Sequence, residues 1–471
     1  MLGLNEKIKE LARQGKSINV AVAGLGQMGK SLVSHLNDLA GFKILAVADK
    51  DPKKIADMIE ILGITESEIF KVWTGIYECQ AGILGNGKTW DMIRDSKIDE
   101  IVNISNKIDA NIKIEIEKAF EEGRILFTDD VRILPGIENI DIVVDATGYT
   151  EVGAFVALSS IAGKKHVVTL NVETDITVGP ILKKMSKDYG VVYTLSAGDE
   201  PAALKELYDF ADGLGLEVIC AGKGKNNPLN MEANPATLAD YAASKGSSAK
   251  MMTSFVDGTK SMVEMACLSN ATGLIPDCRG MHGARVSIKE LAKTFSLKKD
   301  GGILDRTGVV DFAIGDLAPG VFLVYSTKNK MIKDVLNYLA LGQGPNYLLY
   351  RPYHLTSIET PLSIARVYFD REPWIVPSGG LVSDVLTVAK KDLTPGEIID
   401  GIGGYMVYGL IDLYETTSKE KLLPIGLSQG CILKKCVKKG EPISYDDVDF
   451  PSDTLLLQLR KLQDKIIQDN Q

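Results

Sequence analysis

The sequence predicts an α/β protein in three parts: a doubly wound parallel sheet over residues 1–165, an α+β catalytic region over 166–375, and a small β-rich end over 376–471. Three observations carry that expectation. Apolar strand-like runs alternate with helical patterns up to about residue 150, as a parallel sheet covered on both faces requires. A glycine turn of spacing G-x-G-x-x-G follows the first strong apolar run. Short strand patterns between Gly and Pro turns then mark the C-terminal part.

The first 17 residues read as a charged amphipathic helix, and Val20–Ala23 as a buried strand. Gly24, Gly26 and Gly29, with Gln27 and Met28 between them, then open a helix. Gly24 permits the tight turn, Gly26 lets backbone approach a pyrophosphate, and Gly29 lets the helix pack on the sheet. This is the Rossmann dinucleotide fingerprint, with phosphates expected at the helix N-terminus. A second strand, Lys43–Ala48, ends in Asp49, 20 residues after Gly29, where a carboxylate can accept from both ribose hydroxyls. Asp49 favours NAD(H), because a 2′-phosphate would meet its charge; Lys50 suits NADP(H), so both cofactors stay open.

A helical insertion is expected around Ser67–Asp95, followed by a strand at Glu100–Ser105, a helix near Ala110–Glu122 and a strand at Arg124–Asp129. The buried strand Ile140–Val144 runs into Asp145, Ala146, Thr147 and Gly148. Small residues at such a strand end sit where the nicotinamide half of the cofactor lies in these sheets. A helix Glu151–Ala162, a strand in KKHVVTL, a helix Val178–Tyr189 and the strand GVVYTL come next. The strand in EVICAGKGKNNP then leads directly to two lysines.

Composition narrows the partners. The chain has 471 residues, is 45% hydrophobic and carries a net charge of -9, which argues against nucleic acid as a partner. No run approaches 18 apolar residues, so a cytoplasmic location without membrane contact is expected. Six cysteines lack any C-x-x-C pair and there are four histidines, so neither a disulfide framework nor a zinc site is indicated.

Five polar groups are candidates for chemistry. Asn171 and Glu173, near Asp175, follow a strand end that faces the ligand crevice in such sheets; the carboxylates suit magnesium or manganese, and Asp175 equally suits a helix cap. Asp199 and Glu200 precede Pro201, a helix start that also fits substrate contact. Lys223, Lys225 and Asn226 end a buried strand, where a desolvated lysine serves as acid, base, oxyanion stabiliser or anion site. Asp257, Lys260 and Glu264 fall at i, i+3 and i+7; they either pair along one helix face or turn Asp257 and Lys260 toward a hydroxyl proton. Arg351, His354 and Glu359 place a cation, an imidazole and a carboxylate close in sequence as candidate substrate contacts.

The phrases VAVAGLGQMG, DATG, KKHVVTLNVETD and GVVYTLSAGDEP resemble the homoserine-dehydrogenase-like oxidoreductases. Homoserine dehydrogenases carry a lysine where this chain has Val172, which puts homoserine in doubt. With AGKGKNNP, TSFVDGTK and LYRPYHLTSIETPLSIAR, the chain resembles the family of the type II 1-deoxy-D-xylulose 5-phosphate reductoisomerase over nearly its whole length. KKDLTPGEIID and VKKGEPISYDDV look like each other and resemble the two halves of a SAF domain. The resemblance implies skeletal rearrangement of a sugar phosphate, branched sugar or sugar acid coupled to nicotinamide hydride transfer, with or without a divalent metal, in a homo-oligomer. Two other readings fit the same residues: a plain dehydrogenase of a hydroxy acid or polyol, and a dinucleotide-binding sensor without turnover.

Overall fold

The computed structural model of the protein describes residues 3–74, 97–102 and 110–469. They form two compact units, the first made of Met1–Asp199, Leu355–Val376 and Ser452–Gln471, the second of Glu200–His354 and Pro377–Pro451. The chain therefore leaves and re-enters each unit, a division unlike the three consecutive domains expected from sequence.

The first unit holds a seven-stranded sheet in the order β3-β4-β2-β1-β5-β6-β7. Its strands are β1 (Ile18–Ala23), β2 (Phe42–Ala48), β3 (Ile69–Val72), β4 (Ile125–Thr128), β5 (Ile142–Asp145), β6 (His166–Thr169) and β7 (Tyr193–Leu195). All neighbours run parallel. The central strands are continuous apolar runs because both faces are covered. The order reverses direction between β1 and β5, the switch point at which such sheets bind ligands.

Helix α1 (Gln27–Asp38) follows β1, α2 (Thr150–Ala162) follows β5, and α3 (Val172–Asp188) follows β6. Residues Ile98–Val102 form a helix where the sequence pattern suggested a strand; the remainder of that expected strand lies outside the described residues. The expected helical insertion likewise lies mostly outside them, and its first part is strand β3. α3 begins six residues earlier than expected because the Asn171 side chain accepts from the Thr174 N–H, capping it.

The last helix, Leu455–Asp469, belongs to the first unit rather than to a β-rich end. Pro180 interrupts α3, and buried Gln463 spans the opening: its Oε1 accepts from the Ile181 N–H at 3.1 Å and its Nε2 donates to the Thr177 carbonyl at 3.2 Å. Those are the two backbone groups an uninterrupted helix would pair with each other.

The second unit is built on a six-stranded mixed sheet in the order β10-β11-β8-β12-β13, with β9 beside β11. Its strands are β8 (Glu217–Gly224), β9 (Ile275–Pro276), β10 (Ala284–Arg285), β11 (Val309–Ile314), β12 (Val321–Ser326) and β13 (Asn346–Arg351). Central β8 runs parallel to β11 and antiparallel to β12. Helices α4 (Glu200–Gly213) and α6 (Thr259–Thr272) pack together on this sheet, with the short α5 (Ala249–Val256) before α6.

The unit ends in β14 (Ser383–Ala389) and β15 (Val407–Leu413), paired antiparallel, and the short pair β16 (Ile432–Leu433) and β17 (Val448–Asp449). The two look-alike phrases adopt the same turn. Glu397 accepts from the Thr394 N–H after Gly396 at φ 88, and Glu441 accepts from the Lys438 N–H after Gly440 at φ 84.

Candidate active site

In the first unit the glycine turn is built as its spacing demands. Gly24 sits at φ 98, and a Cβ there would lie 2.7 Å from the Ala146 carbonyl oxygen. A Cβ on Gly29 would stand 1.9 Å from the Gly24 carbonyl oxygen, whereas one on Gly26 meets nothing within 4 Å. Gly26 thus borders open space at the N-terminus of α1, a cradle that fits a pyrophosphate. Gln27 and Met28 are exposed beside it.

Asp49 is buried, and its carboxylate accepts from the Leu25 N–H at 2.6 Å and the Asp51 N–H at 2.9 Å, with the Lys54 ammonium 3.7 Å away. It therefore fixes the glycine turn as well as ending β2. Exposed Lys50 lies over the Tyr149 ring, 5.2 Å from its centroid.

Ala146, Thr147 and Gly148 lie at the carboxyl end of β5, and buried Asp145 organises them. Its Oδ1 accepts from the Thr147 N–H at 2.9 Å and hydroxyl at 2.6 Å, and its Oδ2 from the Thr169 hydroxyl. Burial raises its pKa, and these donors together with Asn171 oppose the rise. Asn171 also donates to the Tyr149 carbonyl at 3.0 Å. Asp175 accepts from the Tyr193 hydroxyl. Glu173 and Asp175 join no group of three metal-ligating side chains among the described residues. Asp199 closes this unit's N-terminal stretch, and Glu359 accepts from the Leu355 N–H, holding a turn in the same unit.

The second unit gathers the lysines. Lys223, at the end of β8, is 6% exposed and lies between Glu200 at the start of α4, 2.6 Å away, and Glu264 on α6. Burial alone would lower its pKa, but the two carboxylates outweigh it and hold the ammonium well above the usual lysine range. Burial, and next the Glu200 charge, raise Glu264, against the pull of Lys223 and Lys260.

Lys225 is also buried, donates to the Phe255 carbonyl, and is lowered to about 8, first by burial and then by the Lys223 charge. Gly224, between the two lysines, leaves no room for a Cβ: one would lie 2.8 Å from the Ala318 nitrogen. Its N–H donates to the Gly320 carbonyl, so the Leu317–Gly320 turn is drawn against β8. His354 joins from the other end of the unit, with Nδ1 2.8 Å from the Pro319 carbonyl oxygen and Nε2 3.6 Å from Glu200 Oε1.

The sequence expectation for Asp257 needs correction. Gly258, at φ 90, separates α5 from α6, so Asp257 does not share a helix face with Lys260 and Glu264. It is buried against Lys390, 2.7 Å away, and accepts from the Thr259 N–H. Lys390 also donates to the carbonyls of Ala233 and Gly404, which ties Asp257 into a structural ion pair. Arg351 pairs with Glu206 at 3.1 Å, and Asn226 is exposed. Lys390 and Pro319 were missed from sequence, and no spacing signal marks either.

Residues 198–360 match the family described as "Oxidoreductase DRL, catalytic domain". No curated protein matches the chain. Among solved structures, a probable dehydrogenase from Thermotoga maritima aligns over 76% of this chain and 90% of its own, at 12% identity and TM-score 0.40. A scyllo-inositol dehydrogenase from Lactobacillus casei aligns over 78% and 93%, at 13% and 0.38. A 1-deoxy-D-xylulose 5-phosphate reductoisomerase from Zymomonas mobilis aligns over 53% and 57%, at 14% and 0.31. No helix among the described residues is long and apolar enough to cross a membrane. The matched stretch, about a third of the chain, contains Glu200, Lys223, Lys225, Glu264 and His354, and its similarity is to the catalytic domain of an oxidoreductase.

Proposed function

We propose that the protein is an NAD(P)(H)-dependent reductoisomerase-type oxidoreductase acting on a polyol-derived sugar phosphate, branched sugar or sugar acid. The observation that carries this reading is Lys223, a buried ammonium fixed between Glu200 and Glu264 at the end of β8. A keto or alkoxide oxygen needs positive charge supplied in advance in a dry site, and this ammonium keeps its proton while doing so. Lys260, whose charge reaches Glu264, adds to the positive field. Lys225, which titrates close to neutrality, is suited to exchange a proton or to hold an anionic group such as a carboxylate or phosphate.

The first unit supplies the cofactor site. Gly24, Gly26 and the N-terminus of α1 would hold the pyrophosphate, Asp49 the adenosine ribose, and Ala146, Thr147, Gly148 and Asn171 would border the nicotinamide half. When bound, the dinucleotide accepts or gives a hydride. The ammonium between the glutamates takes the place of a divalent metal in this reading.

The test is NADH and NADPH oxidation by the purified protein across keto sugars, keto-sugar phosphates and sugar acids, with carbon NMR of the product. A rearranged carbon skeleton is the expected result. Simple reduction would leave a plain dehydrogenase, and tight cofactor binding without turnover would leave a sensor.

A further inference from the structure

We infer that His354 is the proton-transfer residue of the lysine cluster, with Nε2 as the atom that takes up a substrate hydroxyl proton. The inference rests on the site reading above and adds to it a base that Lys223 does not supply. Lys223 is held protonated by two carboxylates, so it provides charge and not a lone pair.

The tautomer follows from the partners. A backbone carbonyl only accepts, so the 2.8 Å contact from Nδ1 to Pro319 means that Nδ1 carries the hydrogen and donates it. In the neutral ring the lone pair is then on Nε2. That nitrogen faces Glu200 Oε1 at 3.6 Å, too far for a direct hydrogen bond but close enough for charge to matter. The same Glu200 oxygen lies 2.6 Å from Lys223 Nζ. With 11% of its side chain exposed, His354 is reachable yet largely dry.

The placement is specified by the sequence around it. Gly224 admits the backbone of Ala318 where any side chain would collide, and its bond to Gly320 fixes the turn that presents the Pro319 carbonyl. The chain thus orients the imidazole from one side with a carbonyl and faces its free nitrogen with a carboxylate on the other.

In the step itself, the substrate O–H bond breaks and an Nε2–H bond forms. The electron pair stays on the substrate oxygen, where the Lys223 ammonium supplies compensating charge. In the opposite direction the same proton returns to the oxygen.

Histidine-labelled full-length protein examined by long-range proton–nitrogen NMR near pH 8.5, without substrate, reads the tautomer directly. The chain has four histidines, and the His354 signals are identified by their loss in His354→Gln. His166 provides an internal reference of the opposite kind, because its Nδ1 accepts from the Val192 N–H at 2.9 Å. The expected result is an Nδ1–H ring for His354 and an Nε2–H ring for His166. On a substrate found by the panel, His354→Gln should lower kcat by roughly 10²–10³-fold, with the NADH dissociation constant held and partial rescue by added imidazole. An Nε2–H tautomer at His354, or a His354→Gln rate within about 3-fold of wild type, overturns the inference. A wild-type protein that turns over nothing counts against the functional reading, and the tautomer then decides His354 alone.

Discussion

The glycine turn of the first unit and the lysine cluster of the second are both polar sites at the carboxyl ends of buried strands, yet they are specified differently. In the turn, the requirement is steric and local: Gly29 must lack a Cβ because Gly24 is 1.9 Å from where it would be. In the cluster the requirement is electrostatic and distant: Lys223 keeps its charge only because Glu200 and Glu264 arrive from two other elements. Shape written into neighbouring residues is legible in a sequence, whereas charge balance assembled by the fold is not.

The largest expected effect comes from unbalancing the cluster. Lys223→Met leaves two carboxylates buried without their cation, which should cost about 3–5 kcal/mol in urea unfolding. Its kcat should fall by roughly 10²–10³-fold. Lys223→Arg, which keeps the charge, should retain most of the stability. If Lys223→Met were as stable as wild type, the cluster would not be the charge-balanced device described above.

Breaking the turn should cost less stability. Gly29→Ala forces a methyl group against backbone and should destabilise by about 1–3 kcal/mol. Its cofactor affinity should weaken more than tenfold as the helix N-terminus is displaced from the phosphate cradle.

A third effect has the opposite sign. The unfolded chain holds the Lys225 proton up to about 10.4, the folded chain only to about 8. Between those values the unfolded state binds more protons, so stability rises as pH climbs from about 8 to 10.4 and is lower and flat beneath that window. Lys225→Met should therefore stabilise the protein at pH 7 by on the order of 2 kcal/mol and flatten that rise. A thermal unfolding series across pH 7 to 10.5 checks both, and an unchanged slope in the variant would remove Lys225 as its source.

The same contrast explains what sequence reading reached. The parallel sheet, α1, the Asp49 position and the small residues after β5 were all readable, because strand periodicity and glycine spacing act over short distances. The two matching turns at Gly396 and Gly440 were likewise visible as a repeated phrase. Asp257 was misread because its i, i+3, i+7 spacing assumed one continuous helix, and the left-handed Gly258 breaks it. Its actual partner, Lys390, lies in a distant segment that spacing alone cannot connect. The final helix was missed for a related reason: Gln463 matters because Pro180 opens α3, a complementarity seen only once both are folded.

The central claim is that the turn holds the dinucleotide while the lysine cluster acts on the substrate. It is tested most directly by titrating NADH fluorescence into wild type, Gly29→Ala and Lys223→Arg under one set of conditions. The expected result is a dissociation constant weakened more than tenfold in Gly29→Ala and held within about 3-fold in Lys223→Arg. Equal affinity in Gly29→Ala and wild type, or loss of binding in Lys223→Arg alone, would contradict it.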